Sequence, residues 1–413
     1  MRKWVLPNSS AAIQGILYFS KDVPLALACV LSLRKPRYAA VFSPLKDLLS
    51  LGTVLFVGGS LISLHGMSPV GAIVSIRNVL FLPWVAFIVG RNLSGKSDIS
   101  LICHTIGACA VVNSIVGGMQ FYLPPSHWLN MQTNEMIDVV GAVGRVRASG
   151  TFSFLNAMGD LCSISCWAGA VMIGARPASW YGYITVGAGL TCGAEAMSRG
   201  AVLTGMILLA LVAAVNPRGR NAAVVLALVG LLVYLGQSQF GTDDADTGDD
   251  PGLYSAIWQR HRSADDSIVG RTVGALVGAL PGAIADVPLG VGLGRGQPSG
   301  QSAAPGMAKQ ADYEGEPGRS VYEIGLIGFL GVYLIRLGFP FLLWQYKPRG
   351  HQLDLAELMS VWWPTIWLMA MGVNFLIMFN HFQATYQAIA AICALGAAQQ
   401  LAARRQRQPT LAR

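Results

Sequence analysis

The sequence predicts an all-α polytopic membrane protein, with about eleven or twelve transmembrane helices and one large extracytoplasmic loop containing short helices. Three observations predict it. Hydrophobic residues make up 53% of the 413 residues, and the mean hydropathy is +0.50. Charged residues supply 12%, against about a quarter in soluble domains. Apolar runs of about 20 residues, long enough to cross a bilayer as a helix, recur along almost the whole chain.

The first span is expected over 11–33. It follows the basic start "MRKWVLPNSS", whose polar residues interrupt an h-region, so no cleaved signal peptide is expected. Apolar runs at 45–64, 70–91 and 99–121 give the next three spans. A smaller extracytoplasmic segment, 122–151, separates them from the runs at 152–174, 179–196, 200–215 and 221–236. Then comes the longest hydrophilic stretch, 237–321, which opens with "GTDDADTGDDPG" and contains "LGVGLGRGQPSGQ". Inside it, 272–294 is apolar, but Pro281, Asp286, Pro288 and the glycines argue against a membrane helix. That piece is expected to be loop structure, with short helices near the membrane. Runs at 322–344, 358–379 and 383–402 complete a single membrane domain over 1–413.

The basic residues fall in alternate short loops: Arg34, Lys35, Arg37 and Lys46; Arg91 and Lys96; Arg176; Arg218 and Arg220; Lys347 and Arg349; Arg404, Arg405 and Arg407. The positive-inside rule makes that side cytoplasmic. It also accounts for the net charge of +8 without nucleic acid as a partner. The lipid bilayer is the partner that the composition implies. The seven cysteines all lie in apolar segments without metal-ligand spacing and read as small core residues.

Arginines at helix mouths are the exception to this pattern. Arg199, in "AEAMSRGAVLTG", sits between two apolar runs, where facing lipid would cost at least about 2.5–3.5 kcal/mol. It belongs near the interface or in a polar cavity, with Glu195 one turn earlier as a candidate partner. Arg271 lies in "DDSIVGRTVGAL", and Arg145 and Arg147 lie just ahead of the span at 152–174. Singly these read as a turn arginine, a solvated loop arginine and interfacial anchors. As a set on the extracytoplasmic side, they suit a lipid-linked pyrophosphate, because guanidinium groups bind phosphate oxygens bidentately and stay charged.

Other patterns carry less. "GVGLGRG" at 290–296 lacks the strand–turn–helix setting of a dinucleotide site, and "DDADTGDD" lacks EF-hand spacing. His381 stands alone between two spans, and no zinc-protease, P-loop or serine-nucleophile motif occurs. No metal and no cofactor is expected. The last unusual stretch is "EGEPGRSVYEIGLIGFLG", 314–331, which places Glu314, Glu316, Arg319 and Glu323 at the mouth of an apolar run.

In order along the chain stand "RASGTFSFLN" (147–156), "SRGAV" (198–202), "GR" (270–271), "PLGVGLG" (288–294) and "YEIGLIGFLGVYLI" (322–335). This series resembles the bacterial O-antigen ligase and Wzy-type polysaccharide polymerase superfamily. The motifs are short, and they cover 147–335 only. The resemblance implies a GT-C-like membrane glycosyltransferase of the inner membrane, with its active site facing the periplasm. Its donor and acceptor would be undecaprenyl-pyrophosphate-linked glycans, joined without metal; whether a chain-length regulator also binds is left open. Arg199 and Arg271 match the arginines thought to hold the pyrophosphate, and Arg147 and Arg319 are added as further candidates for it.

One departure from the family bears on the reaction. Its ligases carry a His-Asn pair about eleven residues before the glycine of the last motif. Here that place is Glu314-Gly315, and the loop holds no histidine after His261. The departure favours a polymerase over a lipid A-core ligase. Glu314, or Glu316 if the register shifts by two, would accept the proton of the attacking sugar hydroxyl. Arg199 and Arg271 would stabilise the departing pyrophosphate. Arg319 would orient a carboxylate or phosphate, and Glu323 would anchor a helix starting near 322. The alternatives are a ligase acting on lipid A-core or another acceptor and, from another class, a transporter of lipid-linked sugars. For a transporter only Lys21, Asp22 and Arg77 offer mid-span charge.

Overall fold

A computed structural model of the chain describes residues 22–33, 43–92, 96–130, 146–198, 280–295, 316–344 and 384–396, with gaps of one or two residues, and isolated positions at 20 and between 201 and 209. The helices, in order, are α1 (Asp22–Leu33), α2 (Ser43–Ile62), α3 (Pro69–Ile76), α4 (Leu82–Gly90), α5 (Lys96–Tyr122), α6 (Leu155–Ala175), α7 (Trp180–Glu195), α8 (Leu280–Asp286), α9 (Glu316–Trp344) and α10 (Ala384–Cys393). No β-strand occurs among the described residues. Short 3₁₀ turns at Leu64–Gly66 and Trp128–Asn130 join or follow helices.

Four stretches, Ser43–Ile62, Gly71–Gly90, Asp98–Tyr122 and Pro317–Phe339, are helical, long and apolar enough to cross a membrane. They match the runs expected at 45–64, 70–91, 99–121 and 322–344. Their outward faces are apolar: Val54 is 67% exposed and Leu101 68%, and Leu61, Ile115, Leu330 and Phe341 also face outward. Exposed stripes of this kind suit lipid and would be a liability in water. Together these helices suggest a membrane-embedded protein. Shorter helices cover parts of the runs at 11–33, 152–174, 179–196 and 383–402. The expected spans at 221–236 and 358–379 lie outside the described residues, as does most of 200–215 and of the loop 237–321.

The chain forms two compact units, one of residues 1–25 and 96–265, the other of 26–95 and 266–413. In the first, α6 and α7 run antiparallel, with Gly182 against Ile173 and Gly193 against Cys162. Helix α7 runs parallel to α5: Gly107 meets Tyr181 and Thr185, while Gly117 meets Glu195. The start of α5 at Lys96 and the exposed Arg176 after α6 therefore lie at one end of this unit, and Glu195 lies at the other.

In the second unit α2 and α9 run antiparallel in close contact. Gly52 packs on Gly331 and Ile335, and Gly59 on Ile324 and Gly328. Small residues let two membrane helices approach until backbone touches backbone, which replaces the hydrophobic drive that lipid removes. Hydroxyls on α2 donate back to the preceding turn, Thr53 to Leu49 O and Ser60 to Phe56 O, so their protons are satisfied within the helix. Helices α3 and α4 are one rod with a π-turn at Arg77–Phe81, in which the Leu82 N–H reaches Arg77 O. Pro83, just beyond, lacks an N–H, and a widened turn absorbs that loss. Trp84 Nε1 donates to Thr53 Oγ1 at 3.0 Å, which sets this rod antiparallel to α2. Lys46 and Arg91 thus share one end of the unit, as the charge pattern requires; the Leu64–Gly66 turn and the start of α9 share the other.

Two features differ from the expected spans. Helix α9 starts at Glu316, earlier than expected, with Pro317 in its first turn, where a missing N–H does no harm. It also breaks at Gly325, whose φ of 66° and ψ of −178° are conformations that only glycine adopts readily. The apolar piece at 272–294 does contain a short helix, α8, as expected, followed by a glycine-rich loop over 287–295.

Candidate functional site

In the first unit, the segment 147–151 is held from several sides. Gln120 Oε1 on α5 accepts the N–H groups of Ser149 and Gly150 at 3.0 and 2.8 Å, while Asn113 Oδ1 accepts from Thr151 N and Oγ1. Ala148 N donates to Glu195 O at 3.0 Å, and the Arg147 Nε and Nη2 both reach Ala196 O, at 3.3 and 3.2 Å. A guanidinium on the last carbonyls of a helix is favourably placed with respect to the helix dipole. Just past this cap, Met197 turns with φ of 49°, and Ser198 N donates to Gly193 O. The start of "RASGTFSFLN" is thus held on Glu195 and Ala196, just ahead of "SRGAV", at the end of the unit opposite Lys96 and Arg176. Arg147 is half-buried and spends two donors on α7, so it is more than an interfacial anchor.

Glu195 itself does not project outward. Its carboxylate is buried, 4% exposed, against Gly117, Gly118 and Met158. Arg199, its candidate partner, lies outside the described residues, as do Arg271 and Glu314. Glu316 opens α9, and its side chain is also outside them.

In the second unit, "PLGVGLG" folds onto the break in α9. Val291 N and Gly292 N donate to Tyr322 O and Glu323 O at 2.8 and 3.1 Å, and Leu326 N donates to Pro288 O at 2.9 Å. A broken helix exposes carbonyls on one side of the break and N–H groups on the other, and this loop meets both. The loop lies so close to the α2–α3 turn that a Cβ at Gly66 or Gly71 would collide with the backbone of Val291 or Gly294. Arg295 Nε fastens it by donating to Gly66 O.

Below this junction is a buried polar cluster. Glu323 is 5% exposed; its Oε2 accepts from Ser75 Oγ at 3.1 Å and from Gly294 N at 3.0 Å. Its Oε1 faces Arg319 Nε at 4.0 Å. Glu323 therefore does not anchor the start of a helix near 322. The helix starts at Glu316, which puts Glu323 in the last turn before the break, facing inward. Arg319, 6% exposed, also points into the unit, and the carboxylate it faces is that of Glu323, not the expected Glu314 or Glu316.

No family model matches this chain, and no curated protein matches it.

Arg77 and Arg336 complete the cluster. Arg77 is 4% exposed in the π-turn, with Nη1 donating to Asn78 Oδ1 at 3.0 Å and Nη2 near Thr385 Oγ1 of α10 at 3.4 Å. Arg336, 5% exposed, lies over the Tyr333 ring with its Cζ 5.8 Å from the centroid. Three buried guanidiniums and one buried carboxylate within apolar helices are costly unless they serve a site. Arg77 was legible as a mid-span charge. Arg336, within "GVYLIRLGFPFL", carries the same signal but is hidden by an otherwise continuous apolar run. The role of Ser75 had no sequence signal.

Proposed function

We propose that this chain is a GT-C-like membrane glycosyltransferase of about eleven or twelve spans, a polymerase that joins undecaprenyl-pyrophosphate-linked repeat units at the periplasmic face of a bacterial inner membrane. The observation that carries the reading is the junction of "PLGVGLG" with "YEIG" at the end of the second unit opposite Lys46 and Arg91. That junction holds the first turns of α9, which Glu316 opens and Glu314 precedes. The docking of Arg147 and Ala148 on Ala196 and Glu195, just ahead of "SRGAV", supports it in the same way.

In this reading an acceptor hydroxyl attacks the anomeric carbon of the donor. Its proton passes to Glu314 or Glu316, and the bond from the anomeric carbon to the pyrophosphate oxygen breaks. Arg199 and Arg271 take up the charge that gathers on the leaving pyrophosphate. The test is incubation of the purified protein with a defined undecaprenyl-linked repeat unit. A polymerase yields a ladder of lengthened glycans and free undecaprenyl pyrophosphate. A single transfer to lipid A-core or another acceptor, with no ladder, identifies a ligase instead.

A transporter of lipid-linked sugars is the second reading, favoured by two observations. Arg77 and Arg336 are buried within apolar helices, and α9 is broken at Gly325 where a loop enters. Transporters place charges and half-helices around a central site in this way. Movement of a lipid-linked sugar across vesicles carrying the protein, without any lengthening of the glycan, would decide for it.

A further inference from the structure

At the end of the second unit opposite the α9 junction, a guanidinium stands without a hydrogen-bonding partner among the described residues. Arg91 follows α4 directly and is half-buried, with its Cζ 5.7 Å from the centre of the Phe87 ring. Its Nε is covered and meets no acceptor, and no carboxylate among the described residues pairs with it. The bond from Trp84 to Thr53 sets α4 antiparallel to α2, which brings the exposed Lys46 to the level of Arg91. Beside them ends α1, where Asn92 Nδ2 donates to Ser32 O at 3.1 Å and Arg91 lies within electrostatic reach of the Cys29 thiol. Yet no residue of α1 is buried. Val30 and Leu33, on the flank next to Cys29, are 50% and 52% exposed.

We infer that this end binds one anionic phospholipid, with its phosphate on Arg91 between the ends of α1 and α4 and an acyl chain along Val30 and Leu33. A guanidinium offers paired N–H donors that match phosphate oxygens and stays charged at any pH. The exposed apolar flank of α1 beside it calls for hydrocarbon, which a lipid supplies and free phosphate does not. Lys46 adds a second cation at the same level, so the ammonium of a zwitterionic headgroup would be a third. A headgroup of net negative charge meets no such repulsion, and basic pockets between membrane helices select lipids in this way. The carbonyl ends of α1 and α4 oppose an anion, so the site depends on the guanidinium rather than on the helix ends. It is the same site whether the protein is a polymerase, a ligase or a transporter.

Protein purified in a neutral detergent is titrated with phosphatidylglycerol, phosphatidylcholine or inorganic phosphate while thermal unfolding is followed. Phosphatidylglycerol is expected to raise Tm by about 2–5 °C, and the other two to change it little. Arg91→Gln should shift the phosphatidylglycerol concentration needed upward by about 10- to 150-fold, the loss expected for a hydrogen bond to a charged group. Arg176→Gln, which removes an exposed cation from the other unit, should leave the response unchanged. If Arg91→Gln does not fold, a phosphatidylglycerol with a photoreactive headgroup decides on the wild-type protein, by labelling the ends of α1 and α4. Equal stabilisation by phosphatidylcholine or phosphate would overturn the assignment. So would an unchanged response in a folded Arg91→Gln protein, an equal loss in Arg176→Gln, or labelling only elsewhere.

Discussion

Removing the Glu323 carboxylate would take a partner from several groups at once: the Ser75 hydroxyl, the Gly294 N–H and the Arg319 guanidinium facing it. Glu323→Ala should therefore destabilise the protein by about 3–5 kcal/mol, the range for breaking a buried charge pair from one side. Glu323→Gln keeps the shape and one carbonyl acceptor, and should cost about 1–3 kcal/mol. Thermal unfolding in detergent measures both, and equal stability of the two variants would contradict the role given to Glu323. The residues that carry chemistry in the proposed reaction should behave differently. Glu314→Gln should lose about 100- to 10,000-fold in transfer rate with donor binding retained, and Glu316→Gln should lose less. Arg199→Ala and Arg271→Ala should each lose about 30- to 1000-fold, with poor rescue by lysine. A folded set of variants that all keep near-normal transfer would remove support from the carboxylate and pyrophosphate roles together.

The elements were legible where composition alone decides, and obscure where a single backbone position does. The runs at 45–64 and 99–121 became helices within a few residues of their expected ends, because continuous apolar sequence of that length leaves the backbone no other partner in lipid. The break in α9 was not legible. Gly325 sits in "YEIGLIGFLG", where three glycines stand three residues apart and their spacing does not mark the one that breaks the helix. Gly331 packs on α2, Gly59 of α2 lies against Gly328, and Gly325 turns to meet Pro288 and Leu289. Glu323 was misassigned for the same reason, since placing a helix start near 322 put it at an N-terminus. Gly325→Ala tests the break directly. Alanine at this backbone conformation costs about 1–3 kcal/mol, and its Cβ would also meet the Leu289 carbonyl. The variant should unfold at lower temperature than Gly58→Ala on α2, whose added Cβ meets nothing within 4 Å. The reverse order would mean that the loop, and not the helix, sets the geometry of the junction.

At the scale of the whole molecule, orientation in the bilayer organises everything else. Within each unit the basic residues of the short connections gather at one end: Lys46 with Arg91 in one, and Lys96 with Arg176 in the other. The motif stretches gather at the opposite end of each. The positive-inside rule predicts that the first ends are cytoplasmic and that His65, in the exposed turn between α2 and α3, is extracytoplasmic. The same rule predicts the loop 237–321 on the side of His65 and the terminal "RRQRQ" on the cytoplasmic side. Single cysteines at His65 and Thr247, and at Asp47 and Gln408, in a protein cleared of its seven native cysteines, separate the two faces. A maleimide that cannot cross membranes should label the first pair in intact cells and the second pair only after the membrane is opened. The His65 and Asp47 pair is the sharper test, because Asp47 lies in the first turns of α2 and His65 just past its end, and α2 is long and apolar enough to cross a membrane. Labelling of both in intact cells would show that α2 does not span, and the periplasmic placement of the α9 junction would fall with it.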